Sequence, residues 1–316
     1  MGNKTLSWCI ASLLLLSTTA GAKHKVQKIP FKLYREHLVV ASGRLGHLEN
    51  RNLLIDTGAN PTVVDEALAH ELGLKPLARP PHGMTVVGGV ADTYYALLES
   101  LDIGPVHHEA LVVAVANLSL MQAGAGVRID AIVGLDALAP NNFQIDYDAR
   151  KVIFGSFRSP ISAVPLLKGT SFGIIETMID STAVNLAVDT GSSEFVLFRN
   201  RLPDKINSLG STATAEVSNL AGDVLAPEVR LPNFKVGDED LSGSTALLTT
   251  VPNCCEFQGI FGISALRFKR VTFDFQRGLF GMELLSQDRL WPEPVAGACT
   301  EPGRPGCRLG LLQTKR

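Results

Sequence analysis

The segment NLLIDTGANPTVVD at residues 52–65 returns as NLAVDTGSSEFVLF at residues 185–198, and the chain around it repeats in register. Forty-eight positions after Asp56 stands Gly104, closing the strand-like SLDIG, and forty-eight after Asp189 stands Gly237, closing NFKVG. Further on, AIVGLDAL carries Gly134 and GIFGISAL carries Gly262. Each of these glycines is followed by Ala and Leu three and four positions later, and by an Asp twelve positions later, Asp146 and Asp274. One triplet could arise by accident, but two in register with four further landmarks could not. The fold must therefore be one that can be built twice from related halves. The division this implies is a first lobe over residues 23–159 and a second over 160–285, joined near FRSPISAVP. A tail over 286–316 opens on WPEPVAGACTEPGRPGC, whose Pro and Gly content predicts no regular structure. At 316 residues the chain is long enough for both lobes to bury a core.

Within each lobe the apolar pattern is that of short strands. FKLYREHLVV alternates, LLI and LAV are wholly apolar runs leading into an acid, and ALVVAVANL follows later. Helix signals are few; the best is VDEALAHELGL, where Asp65 can cap, Leu68 and Leu72 share a face, and Gly73 stops the helix. The expected class is all-β: two related barrel-like lobes with a few short helices, their cores formed by sheets folded on each other.

The acids sit at strand ends, where Gly58 and Gly191 permit a sharp turn. A carboxylate held after a buried strand is partly desolvated and has loop N–H groups available to it. Packing two such lobes about a pseudo-twofold axis could bring Asp56 and Asp189 together. Two carboxylates about 3 Å apart cannot both ionise, so such a pair shares one proton and offers an acid and a base at once. That is the equipment for hydrolysing an amide with an activated water and no covalent intermediate.

The stretches LLIDTGA and LAVDTGSS, with IVGLDAL and IFGISAL, resemble the aspartic peptidases. Each lobe is similar to a retropepsin-type subunit, and two in one chain give a pepsin-like bilobal arrangement. The resemblance covers roughly residues 30–285 and implies an endopeptidase with Asp56 and Asp189 as the catalytic pair. It also implies that Thr57 and Thr190 hydrogen-bond across the lobe interface, that Gly58, Ala59, Gly191 and Ser192 shape the active loops, and that Gly134 and Gly262 pack beneath them. For a glycine-tipped flap it points to Gly88 and Gly89 in TVVGGVADTYY and to Gly222 in VSNLAGDVL, with Tyr94 and Tyr95 as candidates for a flap tyrosine. No metal or organic cofactor is implied; the partner is a peptide or protein, and the chain is expected to be a monomer. The two loops differ in that Ser192 carries a hydroxyl where Ala59 has none. Donation from that hydroxyl would favour a charged Asp189, leaving the proton on Asp56.

The remaining features bound the setting. Lys and Arg number 29 against 31 Asp and Glu, with no basic stripe, so nucleic acid is not an expected partner. The opening MGNKTLSWCIASLLLLSTTAGAK has one lysine, an apolar run from Leu6 to Leu16, and an A-x-A site at Ala20–Ala22. Residues 1–22 therefore read as a removed export signal, its core being short for about 30 Å of hydrocarbon, and the protein is expected in the periplasm or secreted. Cys254, Cys255, Cys299 and Cys307 would then meet an oxidising compartment, Cys299 to Cys307 being the simplest pairing. His107 and His108 read as an exposed loop, Asp136 as structural, and Asp146 and Asp274 as strand-adjacent turn positions. Two other readings stay open: a two-lobed protein that grips peptides without cutting them, and a structural envelope protein stabilised by disulfides.

Overall fold

A computed structural model describes residues 26–77, 84–86, 89–139, 141–158, 162–219, 222–251, 255–263, 268–285 and 313–315. Export signal, tail cysteines and Cys254 lie outside these residues, as does Gly88. Among the described residues no helix is long and apolar enough to cross a membrane.

The architecture is β throughout with short helices, as the strand-length apolar runs require. In the first lobe six strands lie in the order Leu38–Leu45, Leu48–Ile55, Ala131–Val133, Val63–Asp65, Val106–Ala116 and Tyr94–Ile103. The last pairs back onto the first, Arg44 opposite Asp102 and Leu45 opposite Leu101, which closes a barrel. In the second lobe the corresponding strands are Ile174–Ile179, Thr182–Asp189, Gly259–Gly262, Phe195–Phe198, Thr245–Thr249 and Gly222–Arg230. The duplication is visible in the turns: Gly104 and Gly237 both hold positive φ, at 59° and 58°. The space for a Cβ on each is taken by an aliphatic of the equivalent strand, Ile29 in the first lobe and Val164 in the second.

Four sequence expectations need correction. FKLYREHLVV is two antiparallel strands, Gln27–Tyr34 and Leu38–Leu45, because Arg35 and Glu36 take φ of 50° and 67° and turn the chain. The helix Glu66–Glu71 ends at Gly73 as read, with φ of 66°, but the Asp65 side chain does not cap it. Its Oδ1 instead accepts from the Leu118 amide at 3.1 Å, tying two parts of the lobe together. His107 and His108 lie in the strand Val106–Ala116 rather than a loop. In the tail, Gln313–Lys315 pairs antiparallel with Ser211–Asn219, so that segment does take up regular structure.

The lobes are fused along their backs. Strands Gln27–Tyr34, Lys151–Phe154 and Phe143–Asp146 of the first lobe continue into Phe268–Asp274, Leu279–Leu284 and Ser162–Pro165 of the second. The seam runs antiparallel from Phe143 opposite Phe273 to Asp146 opposite Arg270. Phe143 and Phe273 stack across it with centroids 4.9 Å apart, a pair worth about 0.5–1.5 kcal/mol beyond its burial. The recurring acids close turns and cross the seam. Asp146 accepts from the Ala149 amide at 2.8 Å and from Arg270 at 2.7 Å, while Asp274 accepts from the Arg277 amide at 2.9 Å and from buried Asn142 at 3.0 Å. Asn142 also accepts from the Gln276 amide at 3.1 Å. Replacing Asn142 with Ala removes a buried donor from Asp274 and leaves the Gln276 amide on the other lobe without its acceptor. The expected loss is about 1–3 kcal/mol, read as a lower urea midpoint with an unchanged slope.

Candidate active site

Each Asp-Thr-Gly triplet is held by the same local construction. The strand Leu48–Ile55 runs parallel to Ala131–Val133, and the chain leaving the loop returns as Val63–Asp65, antiparallel to that same strand. Thr182–Asp189, Gly259–Gly262 and Phe195–Phe198 repeat the pattern. One central strand thus grips both arms of the loop above it. At its end the Asp56 amide donates to Val133 O at 3.1 Å and the Leu135 amide to Ala59 O at 2.9 Å. This explains the glycines beneath: a Cβ on Gly134 would stand 2.4 Å from Ala59 O, and one on Gly262 would stand 2.2 Å from Glu194 O.

The two loops meet through their threonines. Thr57 Oγ1 donates to Val188 O at 2.7 Å and accepts from the Thr190 amide at 3.1 Å. Thr190 Oγ1 donates to Ile55 O at 3.0 Å and accepts from the Thr57 amide at 3.1 Å. Both side chains are fully buried, so each hydroxyl is used as donor and acceptor across the lobe boundary. Nearby, Asn60 Nδ2 donates to Ser171 O at 2.6 Å, a second link between loop and opposite lobe.

This lattice brings the two acids face to face. A Cβ on Gly58 would lie 2.3 Å from Asp189 Cγ, and one on Gly191 would lie 2.5 Å from Asp56 Oδ2. Each glycine is therefore required by the carboxyl of the other lobe. Asp56 Oδ1 accepts from the Gly58 amide at 2.8 Å, and Asp189 Oδ1 accepts from the Gly191 amide at 2.7 Å. Asp56 Oδ2 is buried and has no hydrogen-bond donor among the described residues. Burial raises the pKa of both acids, and Asp56 is raised well above the usual carboxylate value by the added charge of Asp189 and the hydrogen bond between them. On Asp189 the hydrogen bond from Asp56 acts the other way and favours the anion, assisted by the Gly191 and Ser192 amides.

Both acids are thus held toward their protonated forms, Asp56 the more strongly, and the Ser192 hydroxyl takes no part in this. The Ser192 hydroxyl donates to Glu194 O at 3.1 Å and accepts from the Glu194 amide at 3.4 Å; it braces its own loop, and the donor to the carboxylate is the backbone. The hairpin candidates are formed as strands: Met84–Val86 pairs with Gly89–Ala91, and Ser211–Asn219 pairs with Gly222–Arg230, Gly89 and Gly222 each opening a strand. Tyr94 and Tyr95 are not on the first hairpin; they begin the barrel strand Tyr94–Ile103. Asp136, read from the sequence as structural, takes both donors of Thr62 with its carboxylate. Its counterpart Ser264 broke the symmetry that identified the rest. Among the described residues no group of three or more His, Cys, Asp or Glu is placed to hold a metal ion.

Two outcomes follow from this geometry. An acid whose folded pKa is raised costs the fold nothing below its unfolded pKa and costs progressively more as pH rises toward the folded value. Asp56→Asn should therefore be more stable than the parent at pH 7, by roughly 0.5–2 kcal/mol, with the gap in melting temperature closing as pH falls through the ordinary carboxylate range. Gly58→Ala pushes a methyl into the Asp189 carboxyl and should cost about 1–3 kcal/mol, measured by chemical denaturation.

The sequence profile of the aspartyl proteases matches the chain twice, over residues 41–137 and 175–265, more than half its length and once in each lobe. Comparison with curated proteins finds no match. The two matched stretches contain both Asp-Thr-Gly loops and both supporting glycines, so the paired construction described above and the profile agree: the chain belongs to the aspartyl protease family.

Proposed function

We propose that the protein is an exported aspartic endopeptidase in which Asp56 and Asp189 activate a water against the carbonyl of an extended peptide. The observation that carries this reading is the buried, hydrogen-bonded contact of the two carboxyls, with an undonated Asp56 oxygen between the lobes. The ionised Asp189 takes a proton from the water as its oxygen bonds to the carbonyl carbon, and Asp56 gives its proton to the carbonyl oxygen. The resulting diol collapses when Asp189 returns a proton to the departing amine and Asp56 recovers one from the diol. Charge is spread over the pair throughout, so no covalent intermediate is needed.

A peptide between the lobes would be covered by two strand pairs, Met84–Val86 with Gly89–Ala91 and Ser211–Asn219 with Gly222–Arg230, pairing its backbone as an added strand does. The two are built differently. The first is a separate two-stranded sheet, whereas the second is longer and rooted in its lobe through the pairing of Gly222–Arg230 with Thr245–Thr249. On this reading the first hairpin is the more readily displaced when substrate enters. The signal-like composition of residues 1–22 supports export, and a single chain carrying both lobes can act as a monomer.

The test is digestion of a mixed peptide library across pH, with and without a statine-type inhibitor. The expected result is internal cleavage with a bell-shaped pH profile, blocked by the inhibitor and reduced by about 10³-fold or more in Asp56→Asn and in Asp189→Asn. Tight peptide binding by the parent with no cleavage at any pH would favour the silent peptide-binding reading.

A further inference from the structure

The hydrolysis just described makes no use of Asp136, yet its carboxylate lies directly behind the first catalytic loop. Its two oxygens accept from the Thr62 amide at 2.9 and 3.0 Å, and Oδ1 also accepts from Thr62 Oγ1 at 2.7 Å. With its proton committed to Asp136, the Thr62 hydroxyl accepts from the Gly134 amide at 3.1 Å. The next amide, Leu135, donates to Ala59 O at 2.9 Å. Asp136, Thr62, Gly134, Leu135 and Ala59 thus form one chain of hydrogen bonds that ends on the loop carrying Asp56. The Ala59 amide at its end donates to the Asp56 carbonyl at 3.3 Å, closing the turn from which the Asp56 carboxyl projects, and the Gly58 amide inside that turn donates to Asp56 Oδ1 at 2.8 Å.

The second lobe achieves the same end differently. There Ser192 braces its loop through its own hydroxyl, bonded to both the carbonyl and the amide of Glu194. The first lobe has Ala59 in place of the serine and Pro61 in place of Glu194, so it lacks both the hydroxyl and the amide that such a brace uses. Conversely, the positions of Thr62 and Asp136 are Phe195 and Ser264 in the second lobe. Among the described residues the two loops are braced by chemically different groups.

We infer that Asp136 is the positioning residue of the first catalytic loop: acting through Thr62 and Gly134, its carboxylate fixes Ala59 and with it the turn that presents the Gly58 amide to Asp56, the task that Ser192 performs in the other lobe. The inference rests on the reading of Asp56 and Asp189 as the catalytic pair. Without the clamp the turn loosens, the Gly58 amide moves off the Asp56 carboxyl and the ionised form loses a donor. The titratable group that faces Asp56 is Asp189, so the change falls on the pair and both of its titration steps move to higher pH.

The test compares the parent with Asp136→Ala, Asp136→Asn and Thr62→Val. Two readouts are taken: carboxyl-carbon NMR titration of the aspartate pair, and kcat and KM for a cleaved peptide against pH. In Asp136→Ala the pair's titration and both limbs of the rate profile should rise by roughly 0.5–1 pH unit, the worth of one amide hydrogen bond. kcat should fall about 10- to 100-fold with KM nearly unchanged, as a misplaced reacting group does. Asp136→Asn keeps an acceptor for Thr62 and should return most of the loss. A folded Asp136→Ala with the parent's titration and kcat overturns the inference, as does an Asn variant no better than Ala. If Asp136→Ala does not fold, Thr62→Val decides: an upward shift of the titration supports the clamp and an unmoved one ends it. Because the titration needs no turnover, failure of the parent to cleave any peptide would count against the protease reading alone.

Discussion

Two threonine hydroxyls carry the structure's central constraint. Thr57 and Thr190 each donate to a carbonyl of the opposite lobe and accept an amide from it, with no exposure to water. Buried polar groups without partners are costly, so the lattice is complete only when the lobes sit in one relative position. That position sets the distance between the acids next to the threonines. The fused sheet on the back of the molecule, with its Asn142–Asp274 and Arg270–Asp146 contacts, makes the same demand from the other side. The facing of the two acids is therefore a consequence of lobe docking and not of either loop alone.

The acids themselves oppose this packing. Both are removed from water, they face each other, and the backbone donors offset only part of the cost. Such opposition is expected where a fold holds groups for chemistry rather than for stability. The surrounding construction absorbs it. A central strand pairs with both arms of each loop, and glycines at 58, 134, 191 and 262 clear positions that any side chain would need.

Duplication gives the lobes one plan, and the differences between them show where the plan was solved twice. The first lobe closes into a barrel through the pairing of Leu38–Leu45 with Tyr94–Ile103. In the second, the long hairpin Ser211–Arg230 extends the sheet and receives the strand Gln313–Lys315 at its edge. At the loops, Ser192 stands in one lobe and Asp136 with Thr62 in the other. Pseudo-symmetry is strict where the lobes touch, at the threonines and the facing glycines, and relaxed one layer behind. Contact across a twofold axis requires like surfaces, whereas support from within a lobe can be met by any donor and acceptor of suitable length.

The duplicated triplets, the glycines spaced after them and the strand-length apolar runs determined the β class, the two-lobe plan and the identity of Asp56 and Asp189, because these features follow from local backbone demands and from repetition along one chain. The turn at Arg35–Glu36 was hidden, since alternation continues through a hairpin whose central residues are charged. The use of the Ser192 hydroxyl, the displacement of Asp65 from its helix cap to Leu118, and the place of Asp136 were decided only by the tertiary structure. Each of these side chains had more than one partner within reach along the chain, and only the packed fold, by burying some donors and exposing others, left a single way to satisfy them.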